Sequence, residues 1–228
     1  MIAVLLEQNP DTAVANLEGL HPNDSRLEGF YCRAIHLLGT HNRFDEAVAL
    51  VPRLVQAGRQ PSHAIYTALI NACARQRNLE AALSVLDSMR ETGLEPNGIS
   101  YGALMHAANR AGRPDDSLKL LAQAKEEGVM PSADLYNVAL HGLIQNKRVD
   151  DALTLFRQMN ALDVSPDASV YSTMIYGLGR QDRVEMALKL FTDMKFNGVQ
   201  PTHATYGALI YAMGRSYRYH MQAHQYFD

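Results

Sequence analysis

The chain has 228 residues, 47% hydrophobic and 20% charged, with a formal net charge of −3 at pH 7, which is the composition of a folded chain rather than a disordered one. No apolar run approaches the ~20 residues that a membrane-spanning helix needs, and the overall acidity is not the balance usual for a phosphate-binding protein. Cys32 and Cys73, the two cysteines, have no motif around them, which argues against a disulfide framework or a metal clip and fits a reducing compartment.

In chain order, the first element is residues 1–27, where "IAVLLEQ" and "DTAVANLEGL" flank Pro10 and predict a divergent helical pair capping one end of the molecule. This stretch holds one arginine against Glu7, Asp11, Glu18 and Asp24, unlike an Arg-rich, acid-poor transit peptide. It reads as a chain past import processing or as an internal fragment.

From residue 28 onward the sequence repeats with a period of 35. Proline keeps that beat at Pro61, Pro96, Pro131, Pro166 and Pro201, and tyrosine keeps it at Tyr31, Tyr66, Tyr101, Tyr136, Tyr171 and Tyr206. A third register holds Gly58, Gly93, Gly128 and Gly198, with Asp163 as its exception. The repeats run 28–62, 63–97, 98–132, 133–167 and 168–202, with a partial repeat over 203–228, and the proline is motif position 34.

Within a repeat, Tyr66, Leu69, Ile70 and Cys73 fall at i, i+3, i+4 and i+7, one apolar face of a helix. Tyr101, Leu104, Met105 and Ala108 repeat it, as do Tyr171, Met174, Ile175 and Leu178, and Tyr206, Leu209, Ile210 and Met213. A polar or glycine-containing break such as "RQRN", "AGRP" or "QNKR" follows. A second stripe then begins, for example Leu79, Ala82, Leu83, Leu86 and Met89, or Val149, Ala152, Leu153, Phe156 and Met159. Small residues at Ala47, Ala82, Ser117, Ala152 and Ala187 allow two helices close approach. The second helix is expected to stop where glycine permits a left-handed cap and proline prevents continuation.

A two-helix unit cannot bury its apolar face alone, so the units must stack into an all-α solenoid wound as a superhelix. At the far end, the helical pattern continues to about Arg215. The stretch "YRYHMQAHQYFD" then shifts register by about one residue and stops mid-hairpin, which predicts that the natural protein continues beyond Asp228.

Two repeat families have nearly this period. Tetratricopeptide repeats carry a Trp before the first helix and a Gly early in it. This chain has no Trp and places Ile70, Met105, Leu140, Ile175 and Ile210 at the glycine position. A stretch such as "DLYNVALHGLIQNKRVDDALTLFRQMNALDVSPD" instead resembles the pentatricopeptide repeat, over residues 28–228 and in its plain, uniformly 35-residue class. The resemblance implies a right-handed superhelical α-solenoid of stacked helix-turn-helix repeats, with first helices lining a concave groove. It also implies an organellar home, mitochondrion before plastid, no cofactor, no membrane, no small-molecule substrate and no catalytic residues in this segment, although a catalytic domain beyond residue 228 is compatible with it.

On that resemblance, motif positions 2, 5, 9 and 13 face the groove. Position 13 holds Thr40, Arg75, Arg110, Gln145, Arg180 and Arg215, a row of arginines that could meet one phosphate per nucleotide. The alternative is an exposed helix end that carries Arg to complement its dipole. Over motif positions 1–14 of the six repeats, Arg33, Arg75, Arg110, Arg180 and Arg215 stand against Glu28 and Asp134, a balance of +3 in a chain of −3.

The family reads one base through motif positions 5 and 35 together. Thr67 with Asn97 resembles its adenine-selecting pair and Asn137 with Asp167 its uracil-selecting pair. Ser172 with Thr202, Cys32 with Ser62, and Gly102 with Ser132 match no common pair, and Gly102 and Gly207 offer no side chain. Of the position 2 residues that would clamp a base, only Ile99 matches the family's aliphatic pattern; the others are Gly29, Ala64, Asp134, Ser169 and Ala204. Position 9 adds His36, Asn71, His106, His141, Tyr176 and Tyr211, able to stack on bases or to bond sugar. Histidines one repeat apart stand roughly 10 Å from each other on packed helices, too far to share a metal bound at ~2 Å.

Two readings follow. One is a module that holds single-stranded organellar RNA and acts in RNA processing, stability, splicing or translation. The other is a non-catalytic scaffold in an organellar ribonucleoprotein such as the mitochondrial ribosome, or in a plastid polymerase, working through protein contacts.

Overall fold

The computed structural model describes residues 9–18, 26–162 and 164–215, and the side chains of all of these except Glu18 and Arg215. The first helix of the expected N-terminal pair and the second helix of the last hairpin lie outside the described residues. Helix α1 (Pro10–Glu18) is the described part of the N-terminal cap. Five hairpins follow: α2 (Leu27–Thr40) with α3 (Phe44–Gln56), α4 (His63–Arg75) with α5 (Leu79–Glu91), α6 (Gly98–Arg110) with α7 (Pro114–Glu126), α8 (Ala133–Gln145) with α9 (Val149–Ala161), and α10 (Ala168–Arg180) with α11 (Val184–Phe196). Helix α12 (His203–Arg215) opens the sixth repeat. No helix among the described residues is long and apolar enough to cross a membrane.

The chain is an all-α solenoid, and it divides into two compact units, residues 1–120 and 121–228, with the division inside α7. Within the first unit α2 packs on α4 and α4 on α6; within the second, α8 packs on α10 and α10 on α12. Each of the second helices α3, α5, α9 and α11 touches its own first helix and the first helix that follows.

The stripes that the period predicts are the core. Tyr66, Leu69, Ile70 and Cys73 are buried, as are Tyr101, Leu104, Met105 and Ala108, and Tyr171, Met174, Ile175 and Leu178. The row Ala47, Ala82, Ser117, Ala152 and Ala187 has no exposure at all, as close helix approach requires. The last stripe departs from this: Leu209 and Met213 are buried, but Tyr206 is half-buried and Ile210 is 40% exposed. No described element follows α12 to cover that side. In two repeats the tyrosine does more than fill space, because its hydroxyl reaches the end of its own second helix; the Tyr136 hydroxyl, by contrast, is buried with no partner among the described residues. Tyr66 donates to the Ser88 carbonyl at 3.3 Å and lies 3.2 Å from Thr92 Oγ1, and Tyr171 accepts from Asn197 Nδ2 at 3.0 Å.

First helices approach so closely that size must be shared between them. A Cβ added at Gly39 would lie 2.6 Å from Ala72 Cβ, and one at Gly179 would lie 2.6 Å from Ala212 Cβ and 2.7 Å from its Cα. These contacts join motif position 12 of one repeat to position 10 of the next. The reverse arrangement holds at Gly177, where an added Cβ would meet Ile144 Cδ1 at 2.7 Å.

Both ends of a hairpin use left-handed caps. Gly58, Gly93, Gly128 and Gly198 have φ of 74–79°, and Leu94 N donates to Met89 O at 3.2 Å while Gly93 N donates to Arg90 O at 2.8 Å, the paired bonds of a Schellman motif. The break after each first helix adopts the same backbone at motif position 15, in Asn42, Arg77, Gly112, Lys147 and Asp182. Four of those five are not glycine, so only "AGRP" gave a hint of it.

Acids on the second helices are matched by arginine at motif position 16. Arg113 holds both Glu80 of the preceding repeat and Asp116 of its own, and Arg183 Nη1 and Nη2 grip the two oxygens of Asp150 at 2.5 and 3.0 Å. Arg43 likewise joins Asp11 and Glu46 at 2.6 Å each. These hydrogen bonds hold the Glu80 and Asp150 carboxyls below their ordinary range.

Candidate nucleic-acid interface

Motif position 35 is the residue just before each first helix, and its side chain caps that helix. Asn97 Oδ1 accepts from the backbone nitrogens of Ile99 and Ser100 at 3.0 Å each, Asp167 Oδ1 accepts from Val170 N at 2.9 Å, and Ser132 Oγ accepts from Leu135 N at 3.4 Å. The signal was present in the sequence, since Ser62, Asn97, Ser132, Asp167 and Thr202 are all favoured N-cap types. Capping fixes where these side chains stand. It also takes up one oxygen, so Asn97 keeps its amide hydrogens and Asp167 its second oxygen for any other contact. Ser62 is the exception and donates to Glu28 instead of capping.

Position 5 lies one helical turn into the same helix. Asn137 Nδ2 donates to Ser169 Oγ at 2.8 Å, which brings position 5 of one repeat against position 2 of the next, two residues from Asp167. The Asn137 Oδ1 and the Thr67 Oγ1 are both enclosed and have no hydrogen-bond partner among the described residues. Ser172 is different: it is buried, donates to Ala168 O at 2.6 Å and lies 2.8 Å from Thr205 Oγ1, which in turn is 3.2 Å from Thr202 Oγ1. The polar atoms of the Ser172 and Thr202 pair are thus engaged with one another through Thr205. Cys32, at the same register, has its thiol pushed upward by burial and by Glu28, while burial pushes Cys73 up to about 12, so neither is a thiolate nucleophile near neutral pH.

Of the arginine row, Arg110 is exposed and meets no acid among the described residues. Arg75 turns back one repeat, donating to the His36 carbonyl at 3.3 Å and lying 3.0 Å from its Nδ1. Partial burial, with Arg75 and Arg33 close by, lowers the His36 pKa, a direction that favours the neutral ring whose Nδ1 can accept from a guanidinium. Arg180 also reaches back, donating to Gln145 Oε1 at 3.4 Å, with its guanidinium 6.0 Å from the Tyr176 ring centre. Of Arg215 only the backbone is described. Ile99 stands 69% exposed at the register of a base clamp, and His106 and His141 are exposed at position 9, with His141 Nε2 3.3 Å from Gln145 Nε2.

In the second unit these registers converge on one open cavity of about 720 Å³. Its lining includes Asp167 and Thr202 from position 35, Ser172 and Gly207 from position 5, and His141, Tyr176 and Tyr211 from position 9. Thr173 and Ala208, at position 6, also line it and were not singled out by the sequence.

The described residues match two family models. The model described as "PPR repeat family" matches residues 131–180 and 166–215, and the one described as "Pentatricopeptide repeat domain" matches 49–108 and 92–146. No curated protein sequence matches the chain. Among solved structures, the chain is similar to the pentatricopeptide repeat protein PPR10 in complex with an 18-nt psaJ RNA element, with TM-score 0.73 and 20% identity over 94% of this chain and 31% of that one. The structure of PPR10 from maize gives TM-score 0.53 and 22% identity, over 86% of this chain and 33% of that one. The PPR domain of Arabidopsis thaliana protein-only RNase P 1 in complex with tRNA gives 0.58 and 17%, over 79% of this chain and 95% of that one. At these identities the likeness is one of fold, and the chain spans about a third of the length of PPR10. The family models together run from residue 49 to residue 215, and the chain belongs to the pentatricopeptide repeat family.

Proposed function

We propose that this chain is an RNA-binding module that holds single-stranded RNA along the face formed by its first helices and, by occupying it, acts in processing, stability, splicing or translation of that RNA in an organelle, mitochondrion or plastid. The observation that carries this reading is the cavity of the second unit, where the cap residue, position 5 and position 9 of successive repeats line one space. That is the register at which the family reads one base per repeat. Two neighbours of the same fold carry RNA in their structures, PPR10 an 18-nt element and the RNase P domain a tRNA, and this supports the same ligand class.

Selection from a pool of random single-stranded RNA at two salt concentrations tests the proposal. Enrichment of an adenine and a uracil two nucleotides apart, weakened by salt, is expected, with the adenine preference altered by substituting Thr67 and the uracil preference by substituting Asn137. Absence of binding at low salt would remove the reading.

The second reading, a scaffold subunit of an organellar ribonucleoprotein, draws on a different observation. Phe196 is 90% exposed and Met130 85% exposed on the second unit, at and beyond the ends of second helices and away from the cavity. Phe and Met are residue types enriched at protein–protein interfaces. Purification of the native assembly, with and without ribonuclease, separates the two: a scaffold keeps its protein partners after RNA is digested.

A further inference from the structure

The sixth repeat lacks the means to read a base edge. Its position 2 is Ala204 and its position 5 is Gly207, and the cavity floor beside them is Ala208. A Cβ added at Gly207 meets no described atom within 4 Å, so the place where a reading side chain would stand is open space. Of the hydroxyls that line the cavity, those of Ser172 and Thr202 are engaged with Thr205, and that of Ser169 accepts from Asn137. What the cavity does present is an aromatic pair. Position 9 carries histidine or asparagine in the first four repeats but Tyr176 and Tyr211 in the last two, and their rings lie 5.1 Å apart at 37°. Arg180 sits over the Tyr176 ring, 6.0 Å from its centre, a cation attracted to the ring face.

We infer that the open register at Gly207 is a stacking subsite, in which one unpaired RNA base enters the cavity and lies against the Tyr176–Tyr211 pair without its edge being read. This rests on the RNA-binding reading above and adds to it a base held by its face. The cavity volume, about 720 Å³, lies in the range of roughly 300–1,000 Å³ that small ligands occupy. Every base has a π-face, so the subsite accepts purines and pyrimidines alike. Asp167, which also lines the cavity, keeps one carboxylate oxygen beyond its capping bond, and its negative charge disfavours a phosphate in that space.

The test uses the 228-residue chain and a single-stranded RNA in which 2-aminopurine is moved one position at a time. Stacking on tyrosine is expected to quench its fluorescence strongly at one position. Gly207→Leu places a better helix former where an added Cβ meets no described atom within 4 Å, so it enters the open space without a clash at its root and blocks the subsite. It is expected to remove the quenching and weaken binding about tenfold, whichever base stands there. Tyr211→Leu should do the same by removing the ring. RNA binding with both variants unchanged overturns the subsite while leaving the RNA reading intact, and a loss confined to one base identity overturns it in favour of edge reading. No RNA binding by the unaltered chain overturns both.

Discussion

The first and second helices of each repeat are held to the next repeat by different forces. Along the first helices, backbones meet across small residues: Gly39 against Ala72, and Gly179 against Ala212. Along the second helices, long side chains bridge the gap, with Arg113 holding Glu80 and Arg183 holding Asp150, each from a repeat earlier. Arginine takes part in both layers but with opposite results. Arg110 ends a first helix and meets no acid among the described residues, while Arg113, three residues on, is held by two. Two of the acids that make the chain net negative, Glu80 and Asp150, are thus occupied in joining second helices. On the proposed function, the charge that a strand on the first helices would meet is set by that layer, and the net value of −3 says little about it.

The largest effect is expected from breaking the first-helix layer. Gly179→Val would place a branched side chain on the Ala212 backbone, which cannot move aside as a flexible side chain can. Overpacking of this kind costs about 1–3 kcal/mol. Gly177→Ala is expected to cost less, because the atoms it meets belong to the Ile144 side chain, and trimming Ile144 to Val should recover part of the loss. Denaturant unfolding of the single and double variants measures both. Equal costs at 177 and 179 would show that backbone contact is not what holds this layer.

Between the arginines, RNA binding gives the sharper comparison. Arg110→Ala is expected to weaken binding about tenfold at low salt, uniformly across sequences, and to lower the slope of log affinity against log salt by about 1. Arg113→Ala should leave that slope unchanged, since its guanidinium is already neutralised by Glu80 and Asp116. A slope that drops equally in both variants would place the strand on the second-helix side.

The fold was legible because stacking forces every repeat to bury the same positions, so a 35-residue period is visible as soon as prolines and tyrosines are aligned. Ile210 shows where that argument ends: its register predicts burial, but burial depends on a neighbour, and it stands 40% exposed. The site was less legible. Position 35 carries N-cap residue types throughout, and at Asn97 and Asp167 the capping bonds take up one side-chain oxygen that a base contact would otherwise use. Ser172 has a residue type suited to edge reading, yet its hydroxyl turns to Ala168 and Thr205, a choice made by a residue 33 positions away. Likewise nothing in a lone Tyr176 or Tyr211 announces a ring pair. The rings meet only because the stack places equal registers side by side.

The smallest effect is expected from the second-helix bridges, and acid is the way to see it. Arg113 and Arg183 hold the carboxyls of Glu80 and Asp150 below their ordinary range, so folding favours the ionised form of each. A group whose pKa is depressed in the folded state contributes stability above its unfolded value and loses it as pH falls through the folded one. Stability should therefore be level near neutrality and decline once the pH drops below the ordinary carboxylate range of about 4. Both carboxylates are solvent-exposed, so salt screening should flatten that decline, and Glu80→Gln with Asp150→Asn should flatten it further while barely changing the midpoint at pH 7. His36 adds a separate, shallower loss that begins higher. Its pKa is lowered by burial, with Arg75 and Arg33 beside it, so stability is already decreasing as pH falls below about 6.5 toward its folded value, and His36→Gln should remove that first step alone. Unfolding midpoints measured across pH at low and high salt would separate the two, since only the step that begins near 6.5 should vanish in the His36 variant.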